Sequence, residues 1–271
     1  MDIHSIAETI GFDISDPKKH KIGLALGGGG IRGYVHLGVL KALEEQGIEV
    51  NIIAGTSAGA LTGAFIASGM GAKEVHELLK AKNIFEYSKF HWPTDGLFKL
   101  DGMKEVLAET IKADQIEALK IPFIATVSNL NKGCVEYMAK GLISEVVLAS
   151  ASIPLIFAPV EMNGDKYVDG GLYDNLPVKP LKQLCEKIIA VSVSPVEETD
   201  DLDNLVKVAS RTFQLIVNDH DPSLLDQCGI LIEPMGIGNY GLLDTDKADE
   251  LFEIGYKHTQ SLDVKKLLDE C

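Results

Sequence analysis

Residues 21–68 read KIGLALGGGGIRGYVHLGVLKALEEQGIEVNIIAGTSAGALTGAFIAS, and the order of their pieces decides the fold. Lys21 to Leu26 is a short apolar run that ends in four glycines, the pattern of a buried strand feeding a turn. From Tyr34 to Gln46, Val35, Leu37, Val39, Leu40 and Leu43 recur near helical spacing, and Gly47 stands where a C-terminal cap belongs. Val50 to Ala54 gives a second strand, and Ala58 to Ser68 a second helix rich in Ala and Gly. Strand, helix, strand, helix predicts parallel strands with right-handed crossovers, and so an α/β fold.

Outward from this stretch the pattern continues more loosely. Helices are expected at Lys73–Lys82, Met103–Lys112, Leu142–Ser150 and Leu202–Val217, with one long helix over Lys247–Leu268. Pro177 is placed as the first residue of a further helix. Strands are expected at Ile121–Val127, Lys187–Val193 and Gly229–Ile232, and Cys134–Met138 pairs with the first of these as a hairpin around 129–133. Within 80–100, Phe85, Tyr87, Phe90, Trp92, Leu97 and Phe98 are interleaved with Lys80, Lys82, Lys89 and Lys99. Such a mixture suits a mobile cap or membrane-touching segment, and equally a loop that tucks its rings into the core. No repeat, low-complexity tract or long linker divides the chain, so residues 1–271 are read as one domain.

The 271 residues are 46% hydrophobic and 24% charged, the composition of a folded globular chain. A net charge of −15 argues against nucleic acid, which needs surplus Lys and Arg, and against tight adhesion to anionic lipid. Cys134, Cys185, Cys228 and Cys271 lie far apart with no CxxC pair, and read as reduced thiols rather than a zinc or disulfide framework. The start carries no basic, then apolar, leader, and no run approaches the roughly 18 apolar residues of a spanning helix. A soluble, cytoplasmic chain is expected, with no metal and no cofactor.

Three glycine-marked turns carry the chemistry. Gly28, Gly30 and Gly33 sit between a strand and a helix, where bare N–H groups and a helix start make an anion site. A dinucleotide pyrophosphate, a nucleotide phosphate or the oxyanion of a tetrahedral intermediate would each suit it, and so would a purely structural turn. The Gly-Lys-Ser/Thr of a P-loop is missing, and the second strand ends in Ile53-Ala54-Gly55 where a ribose-binding acid belongs, which weakens a dehydrogenase reading. Gly55-Thr-Ser57-Ala-Gly59 is a GxSxG match after a strand and before a helix, the setting in which a serine is held on a sharp corner with Oγ exposed. The plain alternative is a helix start capped by Ser57 or Thr56. Asp169-Gly170-Gly171 is a strand-end aspartate or an ordinary Asp-Gly turn. A serine nucleophile needs a base. Of the seven histidines only His220 sits in a turn-like place; His36, His76 and His258 fall in helical patterns. Asp169 is then a candidate base that needs no histidine.

In this order and spacing the three motifs resemble the patatin-like phospholipases, over about Lys21 to Val193, and 149–160 resembles that family's approach to its aspartate. The resemblance implies a three-layer α/β/α sandwich on a mostly parallel sheet, and a lipid acyl hydrolase of phospholipase A or lysophospholipase type. It implies Ser57 as nucleophile, Asp169 as base and the N–H groups of Gly28, Gly29 and Gly30 as oxyanion hole. Arg32, Gly33, Gly55, Gly59, Gly170 and Gly171 support these turns, with Arg32 either near a lipid phosphate or in an ion pair. Gly27 stands where many plant members carry Asp, which points to the smaller bacterial-type branch. The expected partner is a phospholipid or other acyl ester, met in transient contact with a membrane surface. Two alternatives share the motifs: a thioesterase or acyltransferase using the same pair, and a non-catalytic regulator that binds lipid or protein.

Overall fold

A computed structural model describes residues 20–82, 100–200, 202–218, 229–238, 240 and 245–270. The expected cap within 80–100 therefore falls almost wholly outside the described residues, as does His220. Strands β1 (His20–Leu26), β2 (Ile52–Thr56), β3 (Phe123–Asn129), β4 (Cys134–Met138), β5 (Val160–Met162), β6 (Asp165–Asp169), β7 (Cys185–Val191) and β8 (Ile230–Ile232) build an 8-stranded sheet. Its order is β5-β6-β3-β2-β1-β7-β8, with β4 paired to β3. The pairs from β3 through β2, β1 and β7 to β8 are parallel, and β4, β5 and β6 add antiparallel pairs at one end.

Period-two alternation assigns the faces. Leu24, Leu26, Ile53, Phe123, Val127, Ile189 and Val191 pack toward the larger core, and Ala25, Ile52, Ala54, Ile124, Ile188 and Ala190 toward the smaller one. The larger core takes in side chains of α1 (Gly33–Glu45), α2 (Ala58–Ala67), α3 (Ala72–Ala81), α4 (Asp101–Thr110), α5 (Ile143–Ala151), α6 (Leu205–Val217), α7 (Ala248–Gln260) and α8 (Val264–Glu270). The smaller face is covered by Leu176, Val178, Leu181 and Leu184, so the two outer layers are unequal. Among the described residues no helix is long and apolar enough to cross a membrane.

Two expected helices differ. The segment opened by Pro177 holds only a 3-10 turn, Lys179–Leu181, because Pro180 falls inside it, while Val178, Leu181 and Leu184 join the smaller core. The last helix is two: the chain turns through Ser261 and Leu262, and Asp263 caps α8 by accepting from Lys266 N at 3.1 Å.

The register of β3 sets the site. β4 pairs with Ala125 to Asn129 along one edge. β2 reaches Thr126 with its last residue, Thr56, and β6 reaches Val127 with its last residue, Asp169. Both overlap residues that β4 already holds, so β2 and β6 share the other edge. One runs parallel to β3 and the other antiparallel, and their C-terminal ends meet head to head.

Candidate active site

Ser57 follows β2 directly and opens α2, with φ 54° and ψ −120°. A left-handed φ at a non-glycine residue costs about 1–3 kcal/mol and is held only where the surroundings enforce it. Here the enforcement is visible. Ser57 N–H donates to Ser150 Oγ at 2.9 Å, and Ser150 Oγ donates to Thr126 O at 2.7 Å. Glycines let the corner close: a Cβ on Gly55 would collide with the Gly59 carbonyl, and one on Gly59 with the Leu26 carbonyl. Ser57 is 6% exposed.

Asp169 is wholly buried at the end of β6. Its Oδ1 accepts from Gly171 N at 2.8 Å, its backbone N–H donates to Ser152 O at 2.9 Å, and its carbonyl accepts from Ser128 Oγ at 2.8 Å. Oδ2, by contrast, has no hydrogen-bond partner among the described residues. Burial pushes the carboxyl up to about 7, while the Ser57 hydroxyl and the Gly171 N–H draw it down. The serine hydroxyl thus acts on the carboxyl without completing a bond to Oδ2.

The glycine turn forms the third side. A Cβ on Gly28 would stand 3.1 Å from Ser57 Cβ and would strike Asn175 Oδ1, so only glycine fits between them. Gly27 N–H donates to Val191 O at 3.0 Å and Gly28 N–H to Asn175 O at 3.1 Å. That corrects the expected donor set: the Gly28 N–H is taken, whereas Gly29 and Gly30 N–H have no acceptor among the described residues. Ser194 Oγ donates to the Gly28 carbonyl and accepts from Asn175 Nδ2, which fixes the turn from the far side. His36, buried and neutral because burial lowers it to about 4, donates Nε2–H to Gly27 O at 2.7 Å. It is a brace behind the turn, not a base.

Arg32 is 1% exposed, and its guanidinium donates to the carbonyls of Pro195, Gly238 and Tyr240 at 2.7–3.1 Å. It ties two distant loops to the glycine turn, a structural role. Gly33 lets α1 approach Ala58 on α2, where a Cβ would stand 3.0 Å from that of Ala58, and Gly170 lies against the Thr126 carbonyl.

Gly28, Gly29, Gly30 and Ser57 floor a cleft walled by Ile153, Phe213 and Val217. Sequence reasoning missed the supports: Ser150, Asn175, Ser194 and Phe213 carry no motif, and the signal for Ser150 lay only in its position within 149–160. Among the described residues no group of three or more His, Cys, Asp or Glu could hold a metal ion.

The family model described as Patatin-like phospholipase matches residues 24–182. Lysophospholipase nte1 of Aspergillus terreus is 30% identical over 92% of this chain and 18% of its own length. An uncharacterized NTE family protein of Mycobacterium bovis is 32% identical over 65% of this chain and 50% of its own. The chain spans less than a fifth of the fungal relatives it matches. Among solved structures, VipD from Legionella pneumophila shares the fold at a TM-score of 0.53 and 17% identity, over 93% of this chain and 67% of that one. With the matched segment running from inside β1 past the Asp169 turn, the chain belongs to the patatin-like phospholipase family.

Proposed function

We propose that the protein hydrolyses lipid acyl esters, as a phospholipase A or lysophospholipase, with Ser57 as nucleophile and Asp169 as its base. The observation that carries this reading is the unpartnered, buried Oδ2 of Asp169 on the strand end that faces the Ser57 corner. An orphaned acceptor on a carboxyl costs stability, and a buried group held in that state beside a strained serine has a chemical use.

In this mechanism Asp169 accepts the Ser57 proton as Oγ attacks the ester carbonyl carbon. The carbonyl oxygen becomes an oxyanion, and the N–H groups of Gly29 and Gly30 stabilise it; one such donor is typically worth about 2.7–4 kcal/mol. The tetrahedral intermediate expels the alcohol, which takes the proton from Asp169, and Ser57 is left acylated. Water then attacks the acyl carbon, again giving its proton to Asp169, and collapse returns the proton to Oγ and releases the fatty acid. Every step uses the chain's own groups and water. The apolar walls Ile153, Phe213 and Val217 suit an acyl chain, and the lysophospholipase names of the fungal relatives support a lipid substrate.

The test is hydrolysis of p-nitrophenyl butyrate and of lysophosphatidylcholine by the parent chain, Ser57→Ala and Asp169→Asn. The reading expects turnover by the parent alone; a Ser57→Ala variant that retains activity on either substrate refutes it.

A further inference from the structure

Helix α6 has two apolar faces. Phe213 and Val217 are buried and wall the cleft beside Ser57, with Gln214 between them. On the other side Leu205, Val208, Leu215 and Ile216 are 81%, 42%, 53% and 48% exposed. At the α-helical period these four fall on one stripe with Thr212. Thr212 adds no open polar group, since its Oγ donates to Val208 O at 2.8 Å. No charged side chain interrupts the stripe. Lys207 pairs with Asp203, and Arg211 donates to Glu197 O and Gln214 Oε1, so the helix's own cations are drawn back to the protein. A surface helix ordinarily turns polar groups to water, yet the outward stripe of this one is apolar. A second wall repeats the pattern. Ile153 lines the cleft, and Leu155 two residues on is 78% exposed with φ 68°, a backbone conformation rare for a bulky residue.

We propose that the outer stripe of α6, with Leu155, docks on a zwitterionic lipid surface and brings the cleft to its substrate. This rests on the lipid-ester reading above and names where that substrate is met. Three features select the occupant. The stripe belongs to the helix whose inner side walls the cleft, so whatever covers it stands at the substrate's door. It comprises five side chains over about 17 Å of helix, well short of the roughly 20–30 residues a side in a stable protein interface. The chain carries −15 charges, and residues 197–203, just ahead of the helix, include five carboxylates, which repel anionic lipid and leave apolar contact as the attraction.

The experiment measures partitioning of the Ser57→Ala protein onto phosphatidylcholine vesicles, alone and with Leu205→Gln, Val208→Gln, Leu215→Gln and Ile216→Gln combined. The combined change is expected to weaken partitioning about tenfold or more. With Ser57 intact it is expected to leave hydrolysis of a soluble ester within about twofold, as none of the four lines the cleft. Doping the vesicles with phosphatidylglycerol is expected to reduce binding. Leu205→Gln alone, at the most exposed position, reads the same effect at smaller size if the combined variant folds poorly. Partitioning that either variant leaves unchanged overturns the proposal, as does a parent that binds no vesicles. So does a solution dimer that the stripe variants dissociate, for then a second copy is the occupant. Because binding is read in inactive protein, a chain that partitions through the stripe but hydrolyses no ester removes the hydrolase reading and leaves this one standing.

Discussion

Asp169 and Asp174 lie on one short stretch of chain, both buried, with carboxyls raised by burial to about 7 and about 6. Their surroundings differ in one respect. Asp174 Oδ2 accepts from Tyr137 Oη at 2.5 Å, with Lys179 also lowering its pKa, and its carbonyl accepts from Thr56 Oγ at 3.0 Å. Asp169 Oδ2 accepts from no group among the described residues and lies on the strand end that meets the Ser57 corner. Burial alone therefore does not mark a reactive carboxylate: both are buried, and the open lone pair separates the one proposed to move a proton from the one that holds β2 to the 170–175 turn.

The largest expected difference is in turnover. Asp169→Asn and Ser57→Ala should each lower kcat on soluble esters by about 10⁴–10⁶. Asp174→Asn, in which the amide oxygen can still accept from Tyr137, should stay within about tenfold. If the two Asn variants fall equally, the comparison breaks.

Stability should move the other way. Asp169 has its folded pKa raised from 3.8 to about 7, so folded protein holds its proton where unfolded chain has lost it. Stability then falls as pH rises from about 4 to about 7, and the cost reaches roughly 4 kcal/mol above that range. Asp169→Asn should be more stable than the parent at pH 8 by up to that amount, with the gap closing below about pH 4. Urea unfolding at both pH values checks it, and a variant less stable at pH 8 refutes the buried-charge account. Tyr137→Phe probes the satisfied partner. It removes a donor to a charged group, so a loss of about 1.5–3 kcal/mol at pH 8 is expected, with esterase activity largely kept.

What the sequence could and could not disclose follows from the range of the interactions. Gly28, Ser57 and Asp169 were legible as turns, because apolar runs before and after each made a strand or helix boundary a local matter. That Asp169 serves Ser57 rested on the poor placing of the histidines and on the family resemblance: the pairing depends on β2 and β6 sharing one edge of β3, which spacing along the chain does not encode. Arg32 was only partly legible for the same reason. It donates to carbonyls more than 160 positions away, and carbonyls leave no trace in side-chain identity. The Pro177 helix failed because Pro180, three residues on, has no N–H to donate and its ring would clash with the carbonyl four residues back.

A smaller effect sharpens the link between the strained corner and the carboxyl. Ser150→Ala should strand the Ser57 N–H in the interior, costing about 1–3 kcal/mol of stability, and loosen the serine enough to lower kcat about tenfold with KM little changed. Ser150→Thr, which keeps the hydroxyl, should restore most of it. Steady-state kinetics beside thermal unfolding separates the two losses.

The central claim is that Asp169 activates Ser57, and the labelling rate of the serine by a fluorophosphonate, followed against pH with the adduct mapped by mass spectrometry, tests it most directly. The account predicts one adduct, on Ser57, with a rate that rises through a midpoint near pH 7 as the Asp169 carboxyl ionises and that collapses at every pH in Asp169→Asn. An adduct on another residue, or an Asp169→Asn protein labelled at the parent's rate, would contradict it.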